Sequence, residues 1–96
     1  MLKNINKIIK KEVRWKVGNG RTALFWDNIW ILDHPLSADQ RWNGFMEKCK
    51  NLFGIFVEDY WEENNWLDLN RVDKNLNDLN KILNAIFLSH EDDALI

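Results

Sequence analysis

The side chains that could do acid–base, nucleophilic or metal chemistry are few and scattered in this sequence. His34 and His90 lie far apart in the 96-residue chain, and neither stands near a nucleophile in a setting typical of a hydrolytic triad. The single cysteine, Cys49, cannot form an internal disulfide, and with two histidines it falls short of a structural zinc site. We therefore predict no enzymatic activity, no bound metal and no cofactor.

Two acidic pairs, Glu62-Glu63 and Asp92-Asp93, are the remaining candidates for general acid–base work or metal binding. Adjacent residues on a helix point to different sides, so the two carboxylates of such a pair do not meet at one ligand. Acids on a solvated face are the commoner explanation, and we expect no catalytic role for either pair.

The segment Gly18-Asn19-Gly20 could suggest a phosphate-binding loop. It matches neither G-x-G-x-x-G nor G-x-x-x-x-G-K-[ST], and the residues after it favour a strand over a helix. Asn-Gly is the preferred central pair of a type I′ turn, because both of its positions need a positive φ. We therefore predict a β-hairpin over residues 12–30 with this pair at its tip.

The alternation of polar and apolar residues before the turn fixes the predicted register of this hairpin. A slip of one residue would bury Arg14 and Lys16, so the register is well specified. We expect the Arg14 guanidinium to lie over the Phe25 ring on the outer face. One apolar face would gather these side chains from both strands: Val13, Trp15, Val17, Thr22, Leu24 and Trp26.

The flanking sequence is predicted to be helical. Apolar residues spaced by three and four, with lysines between them, predict a basic amphipathic helix over residues 1–11. A helical part is predicted over 57–88, with short helices at 57–62 and 66–72 and the clearest one over 74–87. Asp73 is the expected N-cap of that last helix.

The predicted fold class is α+β, with a Trp-rich β-hairpin packed against several short helices in a single small domain over residues 1–96. A further short helix is expected between residues 39 and 53, and Ala94-Leu95-Ile96 resembles a strand cut off at its start, which suggests truncation at the C-terminal end. The six tryptophans supply much of the apolar area, so most should lie in the core or at an interface.

Composition excludes several classes of protein. Hydrophobic residues make up 46% and charged residues 29% of the chain, which is typical of a globular domain. No apolar run approaches the roughly 18 residues of a membrane span, and the N-terminus lacks the pattern of a signal peptide. We therefore expect an intracellular protein without a membrane partner or a small-molecule substrate, in a compartment that the sequence does not specify.

Charge is distributed unevenly along the chain. Residues 1–21 carry seven cations against one acid, whereas residues 57–96 carry three cations against ten acids. This gradient indicates either a polyanion site or an attraction between the two ends, and a pI near 5.6 favours the attraction. The candidate nucleic-acid contacts are the basic residues of the first segment: Lys3, Lys7, Lys10, Lys11, Arg14, Lys16 and Arg21.

One stretch of the sequence, RWKVGNGRTALFWDNIW, resembles a segment of plant LINE-type, non-LTR retrotransposon polyproteins. In that family the segment lies between the reverse transcriptase and the zinc-binding and ribonuclease H-like parts. A weaker similarity extends over about residues 11–96 and includes Pro35-Leu36, Phe56 to Asp59, Trp66, the predicted Leu76–Phe87 helix and Asp93. The residues of the family motif are Trp15, Gly18, Asn19, Gly20, Arg21, Phe25, Trp26, Asp27 and Trp30.

The resemblance implies a non-catalytic fragment or connecting module of a reverse transcriptase-like polyprotein. The metal-binding aspartates of the family's RNA-directed DNA polymerase and its Cys/His zinc ligands have no counterpart in this sequence. Flanking polyprotein domains and nucleic acid are the expected partners. Two other hypotheses are a stand-alone protein-interaction domain that uses exposed tryptophans, and a decayed fragment with no selected function.

Overall fold

Two α-helices and two small antiparallel sheets form a mixed α+β fold in residues 14–96, the part of the chain that the computed structural model describes. Helix α1 spans Met46–Phe53 and helix α2 spans Asn77–Leu83. The expected α+β fold class is confirmed. The basic helix predicted over residues 1–11 lies outside the described residues.

Each sheet consists of two strands of two residues. Strand β1 (Trp15–Lys16) pairs antiparallel with strand β4 (Ala94–Leu95), so the apolar run at residues 94–96 does contribute a strand. Strand β2 (Trp61–Glu62) pairs with strand β3 (Asn65–Trp66), which places the two indoles opposite each other with ring centroids 4.9 Å apart. This Trp-rich β-hairpin lies later in the chain than the predicted one.

The hairpin predicted over residues 12–30 is wrong for the described residues of that range. Trp15 pairs with Leu95 and not with Leu24, which instead bridges to Phe56. The positive φ angles of a two-residue turn occur at Glu63 (50°) and Asn64 (67°), between β2 and β3, and not at Asn19. The physical reason is that the amides of the glycine segment bind a side chain from the other end of the chain.

The helical part predicted over 57–88 is correct only in places. The β2–β3 hairpin interrupts it, and α2 ends at Leu83 rather than at Phe87. Asp73 is confirmed as a cap, because its carboxylate accepts from the backbone N–H of Asn75 at 2.8 Å. The remaining helical residues form single 3-10 turns at Leu36–Ala38, Asn43–Phe45, Val57–Tyr60, Leu69–Arg71 and Lys74–Leu76.

Aromatic side chains form the centre of the core. Phe25 stacks on Tyr60 with ring centroids 3.8 Å apart and planes 10° apart. The Trp26 indole donates a hydrogen bond to the Tyr60 hydroxyl, which donates in turn to the carbonyl of Gly54, each at 2.9 Å. These bonds satisfy polar groups that would otherwise be buried without partners.

The tryptophans are mainly core residues. Trp26, Trp30, Trp42 and Trp66 are buried, and the other two are half-buried against the same core. Indole N–H groups of Trp30 and Trp66 donate to backbone carbonyls, so these rings are fixed in orientation as well as buried. The prediction that most indoles lie in the core or at an interface is therefore confirmed, and their location is the core.

Candidate functional site

A loop formed by residues 18–23 surrounds the carboxylate of Asp93 with backbone amides. Gly18 and Gly20 donate to its Oδ1 atom at 2.7 and 2.9 Å. Thr22 and Ala23 donate to its Oδ2 atom, each at 2.9 Å. Each carboxylate oxygen therefore accepts two N–H bonds, and we call residues 18–23 the amide cradle.

Both flanks of the amide cradle are held by further backbone hydrogen bonds. On one side, the carbonyls of Gly20 and Ala23 accept from Glu58 at 2.9 Å and from Val57 at 3.0 Å. On the other side, the Gly18 carbonyl accepts from Ser89 at 2.8 Å. The loop thus joins the 3-10 turn at Val57–Tyr60 to the last residues of the chain.

Two glycines allow this arrangement for different reasons. A Cβ atom on Gly18 would lie 2.1 Å from the Glu91 carbonyl oxygen, so a side chain there would block the approach of the C-terminal segment. Gly20 has a φ of 77°, which favours glycine, and a Cβ atom there would lie 2.7 Å from the Glu58 nitrogen. Backbone approach and backbone conformation therefore explain the two glycines of the motif.

The electrostatics of the cradle favour an ionised carboxylate. Burial by itself would raise the pKa of Asp93, but the hydrogen bonds from Ala23, Gly20, Thr22 and Gly18 outweigh burial and hold that pKa below its usual range. The cradle presents hydrogen-bond donors to the bound group, so it suits an oxyanion and disfavours a cation.

The residues on which the resemblance rests, from Trp15 to Trp30, lie in two places. Gly18, Asn19, Gly20 and Arg21 belong to the amide cradle, whereas the aromatic members contribute to or pack against the core. Asp27 is exposed and forms an ion pair with Lys50 of α1 at 3.0 Å. The motif therefore consists of a backbone anion-binding loop followed by a core segment, and it brings together no catalytic side chains.

The structure does not gather the described basic candidates into one patch. The Arg14 guanidinium donates to the Leu32 carbonyl at 2.9 Å instead of lying over Phe25, which is fully buried. Arg21 lies 3.5 Å from the carboxylate of Glu58. Lys3, Lys7, Lys10 and Lys11 lie outside the described residues.

Lys16 lines one surface cleft and Arg21 lines another. The first cleft has a volume of about 510 Å³ and also includes the acids Glu91 and Asp92. The second cleft, of about 380 Å³, shares Ser89 and His90 with the first and is also lined by Arg21, Glu58 and Trp61. Both clefts are therefore lined by cations and acids together.

A second hydrogen-bonded carboxylate, which the sequence analysis did not predict, is that of Asp39. We call Asp33, His34, Asp39 and Arg41 the Asp39 cluster. The buried Asp39 carboxylate accepts from the Arg41 backbone N–H, from both ends of the Arg41 guanidinium and from His34 Nε2, all within 2.8–2.9 Å. The Arg41 guanidinium, with His34 second, holds the pKa of Asp39 far below its usual range despite burial. The other ring nitrogen of His34 lies 2.7 Å from Asp33.

The pKa of His34 is raised, first by its hydrogen bond to Asp39 and then by its bond to Asp33. Arg41 also lies over the Trp42 ring, with its Cζ atom 4.0 Å from the ring centroid. The cluster has no nucleophile among its members, and its hydrogen bonds fix the chain between residues 33 and 42. We assign it a structural role.

The other chemical candidates are separated from one another. Cys49 is buried in α1, and burial raises the pKa of its thiol to about 11, which makes it an inert core residue. Glu62 and Glu63 are both exposed. Glu62 belongs to β2, and Glu63 belongs to the turn between β2 and β3. Within residues 14–96, no group of three or more His, Cys, Asp or Glu side chains is arranged to hold a metal ion.

Comparisons with protein-family models, with curated proteins and with solved structures found no match to this chain. Within residues 14–96, no helix combines the length and the apolar character needed to cross a membrane. The site must therefore be interpreted from its own geometry.

Sequence reasoning missed Asp93 as the partner of the glycine segment, because the two are about 70 residues apart and no local pattern connects them. The available signal was chemical: a glycine-rich segment exposes backbone N–H groups, and an acidic run near residue 93 could supply an anion for them.

Proposed function

We propose that this chain is a non-catalytic connecting module of a retrotransposon-derived, reverse transcriptase-like polyprotein of the plant LINE type. The proposal rests on the motif from Trp15 to Trp30 and on one structural observation. Strands β1 and β4 pair antiparallel, and the Ile96 N–H donates to the Arg14 carbonyl at 2.9 Å.

This pairing suits a connecting role. In an antiparallel pair, the start of one strand lies beside the end of the other. Arg14 and Ile96 therefore lie side by side at one edge of the module. A module of this kind would hold its two neighbours close together without contributing a catalytic group.

The genomic DNA around the coding sequence tests this proposal. We expect codons for the metal-binding aspartates of a polymerase upstream and for Cys/His zinc ligands downstream, both in the same reading frame. Interrupted frames on both sides would favour the decayed fragment. Unrelated genes on both sides, with the frame of this chain intact, would contradict the connecting role.

Nucleic-acid binding is a secondary part of the proposal, through phosphate contacts without sequence readout. Lys16 is the strongest described candidate, because it is exposed and no carboxylate of residues 14–96 lies within ion-pair distance of it. We expect the whole chain to bind single-stranded nucleic acid at about 50 mM salt and to lose most of that binding by about 200 mM.

A matched pair of variants sharpens this test. Lys16→Ala should weaken binding and reduce the slope of affinity against salt, whereas Lys81→Ala, which removes an exposed cation from α2, should leave both unchanged. Equal losses in the two variants would indicate a general charge effect. Absence of binding at the lower salt concentration would remove the nucleic-acid part and leave the connecting role intact.

A stand-alone protein-interaction domain is the second candidate, and the exposed apolar side chains favour it. Phe87 is 75% exposed and Ile96 is 78% exposed, whereas Trp26 and Trp42 are buried. A partner would therefore meet these apolar groups rather than the tryptophans first considered. Quenching of tryptophan fluorescence by acrylamide tests the difference, because strong quenching that a partner relieves would favour an indole interface.

A further inference from the structure

We propose that the amide cradle is an oxyanion-binding site of the carboxylate and phosphate class, which the chain fills with its own Asp93. We further infer that this contact holds residues 89–96 as a clasp, and that a free oxyanion can take the place of the Asp93 carboxylate. This inference concerns the chain by itself and stands independently of the polyprotein role.

The donor set has the composition of an anion site. All four donors are backbone N–H groups, two on each oxygen, at 2.7–2.9 Å. Successive N–H groups that converge in this way form a concavity that binds carboxylate and phosphate oxygens. An acetate ion or an inorganic phosphate ion offers the same pair of oxygens, so either one could accept the same bonds.

The cradle is anchored independently of its occupant. The carbonyls of Gly20 and Ala23 accept from Glu58 and Val57, neither of which belongs to the clasp. Ala23 is also fully buried in the core. Removal of Asp93 should therefore leave most of the donors in place, which is the condition for a preformed site.

The clasp has few other attachments. Glu91, Asp92, Ala94, Leu95 and Ile96 are all exposed, and β4 contributes only two residues to its sheet. Beyond the Asp93 contacts, the described attachments of the clasp are the two-residue β1–β4 pairing, the Ser89 and Ile96 backbone bonds to Gly18 and Arg14, and one long contact from Asn19 to Asp92. A segment with little buried apolar surface opens at low free-energy cost unless polar contacts hold it. The four hydrogen bonds to the Asp93 carboxylate are therefore the principal attachment of the clasp.

The two glycines separate the cradle from the clasp experimentally. A side chain at Gly18 would collide with the Glu91 carbonyl of the clasp, but its own N–H would remain. A side chain at Gly20 would strain the cradle itself, because of the positive φ and the nearby Glu58 nitrogen. Gly18→Ala should therefore open the clasp around a working cradle, whereas Gly20→Ala should damage the cradle.

The first experiment uses the full chain carrying Asp93→Ala, with Asp92→Ala as the matched control. Amide resonances of Gly18, Gly20, Thr22 and Ala23 are followed by ¹⁵N–¹H NMR during separate titrations with sodium acetate and inorganic phosphate. We expect saturable downfield shifts in Asp93→Ala with at least one anion and none in Asp92→Ala, whose cradle is filled. Sodium chloride at equal ionic strength should cause no such shifts.

The two titrations identify the source of the ligand. A response to acetate alone would assign the site to carboxylates, and a response to phosphate alone would assign it to phosphates. A response to both would assign it to oxyanions in general. The proposal is overturned if neither anion shifts the four amides more than chloride does.

A second variant keeps the proposal testable if Asp93→Ala does not fold. In Gly18→Ala, we expect hydrogen exchange at the Ser89 and Ile96 amides to accelerate by about tenfold or more, while the amides of α2 stay protected. Acetate or phosphate should then shift the Thr22 and Ala23 resonances. Unchanged exchange at Ser89 and Ile96 would show that the clasp does not depend on this contact, and would overturn the proposal.

Discussion

Two carboxylates of this molecule, Asp93 and Asp39, each accept four hydrogen bonds, yet they organise the chain in different ways. Asp93 accepts from backbone amides that are 70–75 residues away in sequence. Asp39 accepts from Arg41 and His34, which are at most five residues away. The Asp93 carboxylate joins residues 18–23 to the C-terminal segment, whereas the Asp39 carboxylate fixes the conformation of one loop.

The difference shows that the same number of hydrogen bonds can have different energetic consequences. Loss of a local cluster frees a few residues, whereas loss of a long-range contact also releases the segment that it held. The two sites differ in donor type as well, because Asp39 faces a charged guanidinium and Asp93 faces neutral peptide groups.

Asp93→Ala should have the largest effect of the acidic substitutions. We expect the free energy of unfolding to fall by about 3 kcal/mol, because four donors lose a charged acceptor and the clasp is released. Urea unfolding measures this loss, with Asp92→Ala as the control because that exposed carboxylate has one long contact, 3.4 Å from Asn19. Equal losses in the two variants would contradict the special role of Asp93.

Asp39→Asn should cost less, about 2 kcal/mol in the free energy of unfolding. The amide keeps the shape of the side chain but cannot accept from both the Arg41 guanidinium and the His34 ring as a carboxylate does. Urea unfolding should show this loss without faster hydrogen exchange at Ile96, since the clasp does not contact the cluster. Faster exchange there would mean that the two regions are coupled.

Acid should reduce stability through both carboxylates. Their folded pKa values lie below the ordinary value of 3.8, so each contributes stability above about pH 4. That contribution is lost as the pH falls through the folded pKa. Between about pH 4 and pH 2, the thermal midpoint of the wild type should fall more steeply than that of Asp93→Ala, and parallel curves would contradict this expectation.

Substitution of His34 should have the smallest effect on stability. Its contribution is lost as the pH rises, whereas the contributions of the two carboxylates are lost as the pH falls. The folded pKa of His34 is raised above the ordinary 6.5, so its contribution is fully present below pH 6.5 and is lost as the pH rises through the folded value. The groups that face it are Asp33, Asp39 and Arg41. His34→Gln should remove this slope from the thermal midpoint, whereas His90→Gln should retain it.

Local patterns predicted the elements that depend on local interactions. Asp73 caps the turn that leads into α2, and Leu76, Leu79 and Leu83 are buried at the spacing that indicated this helix. The strand at residues 94–95 also follows from its apolar run. For the cap and the helix the decisive contacts lie within a few residues or on one face of one element, whereas the strand also depends on its pairing with Trp15–Lys16.

The glycine segment shows why the site could not be predicted in the same way. Asn-Gly has a strong preference for a two-residue turn, but that preference is weaker than four long-range bonds to one carboxylate. The actual two-residue turn uses Glu63 and Asn64, a pair without glycine, and the facing Trp61 and Trp66 side chains compensate for it. Tertiary contacts therefore determine the conformation of both the glycine segment and the Glu63–Asn64 turn.

The hydrogen bond between Arg14 and Ile96 also bears on how this polypeptide could be rewired. Because these two residues lie side by side next to the β1–β4 pairing, a short linker could join them in a chain cut to residues 14–96, and new termini could be opened at the exposed turn of Glu63 and Asn64. A circular permutant of this design would keep the β1–β4 and β2–β3 pairings of the described residues. The same adjacency would let the folded unit be spliced into a surface loop of an unrelated host with little distortion of that host.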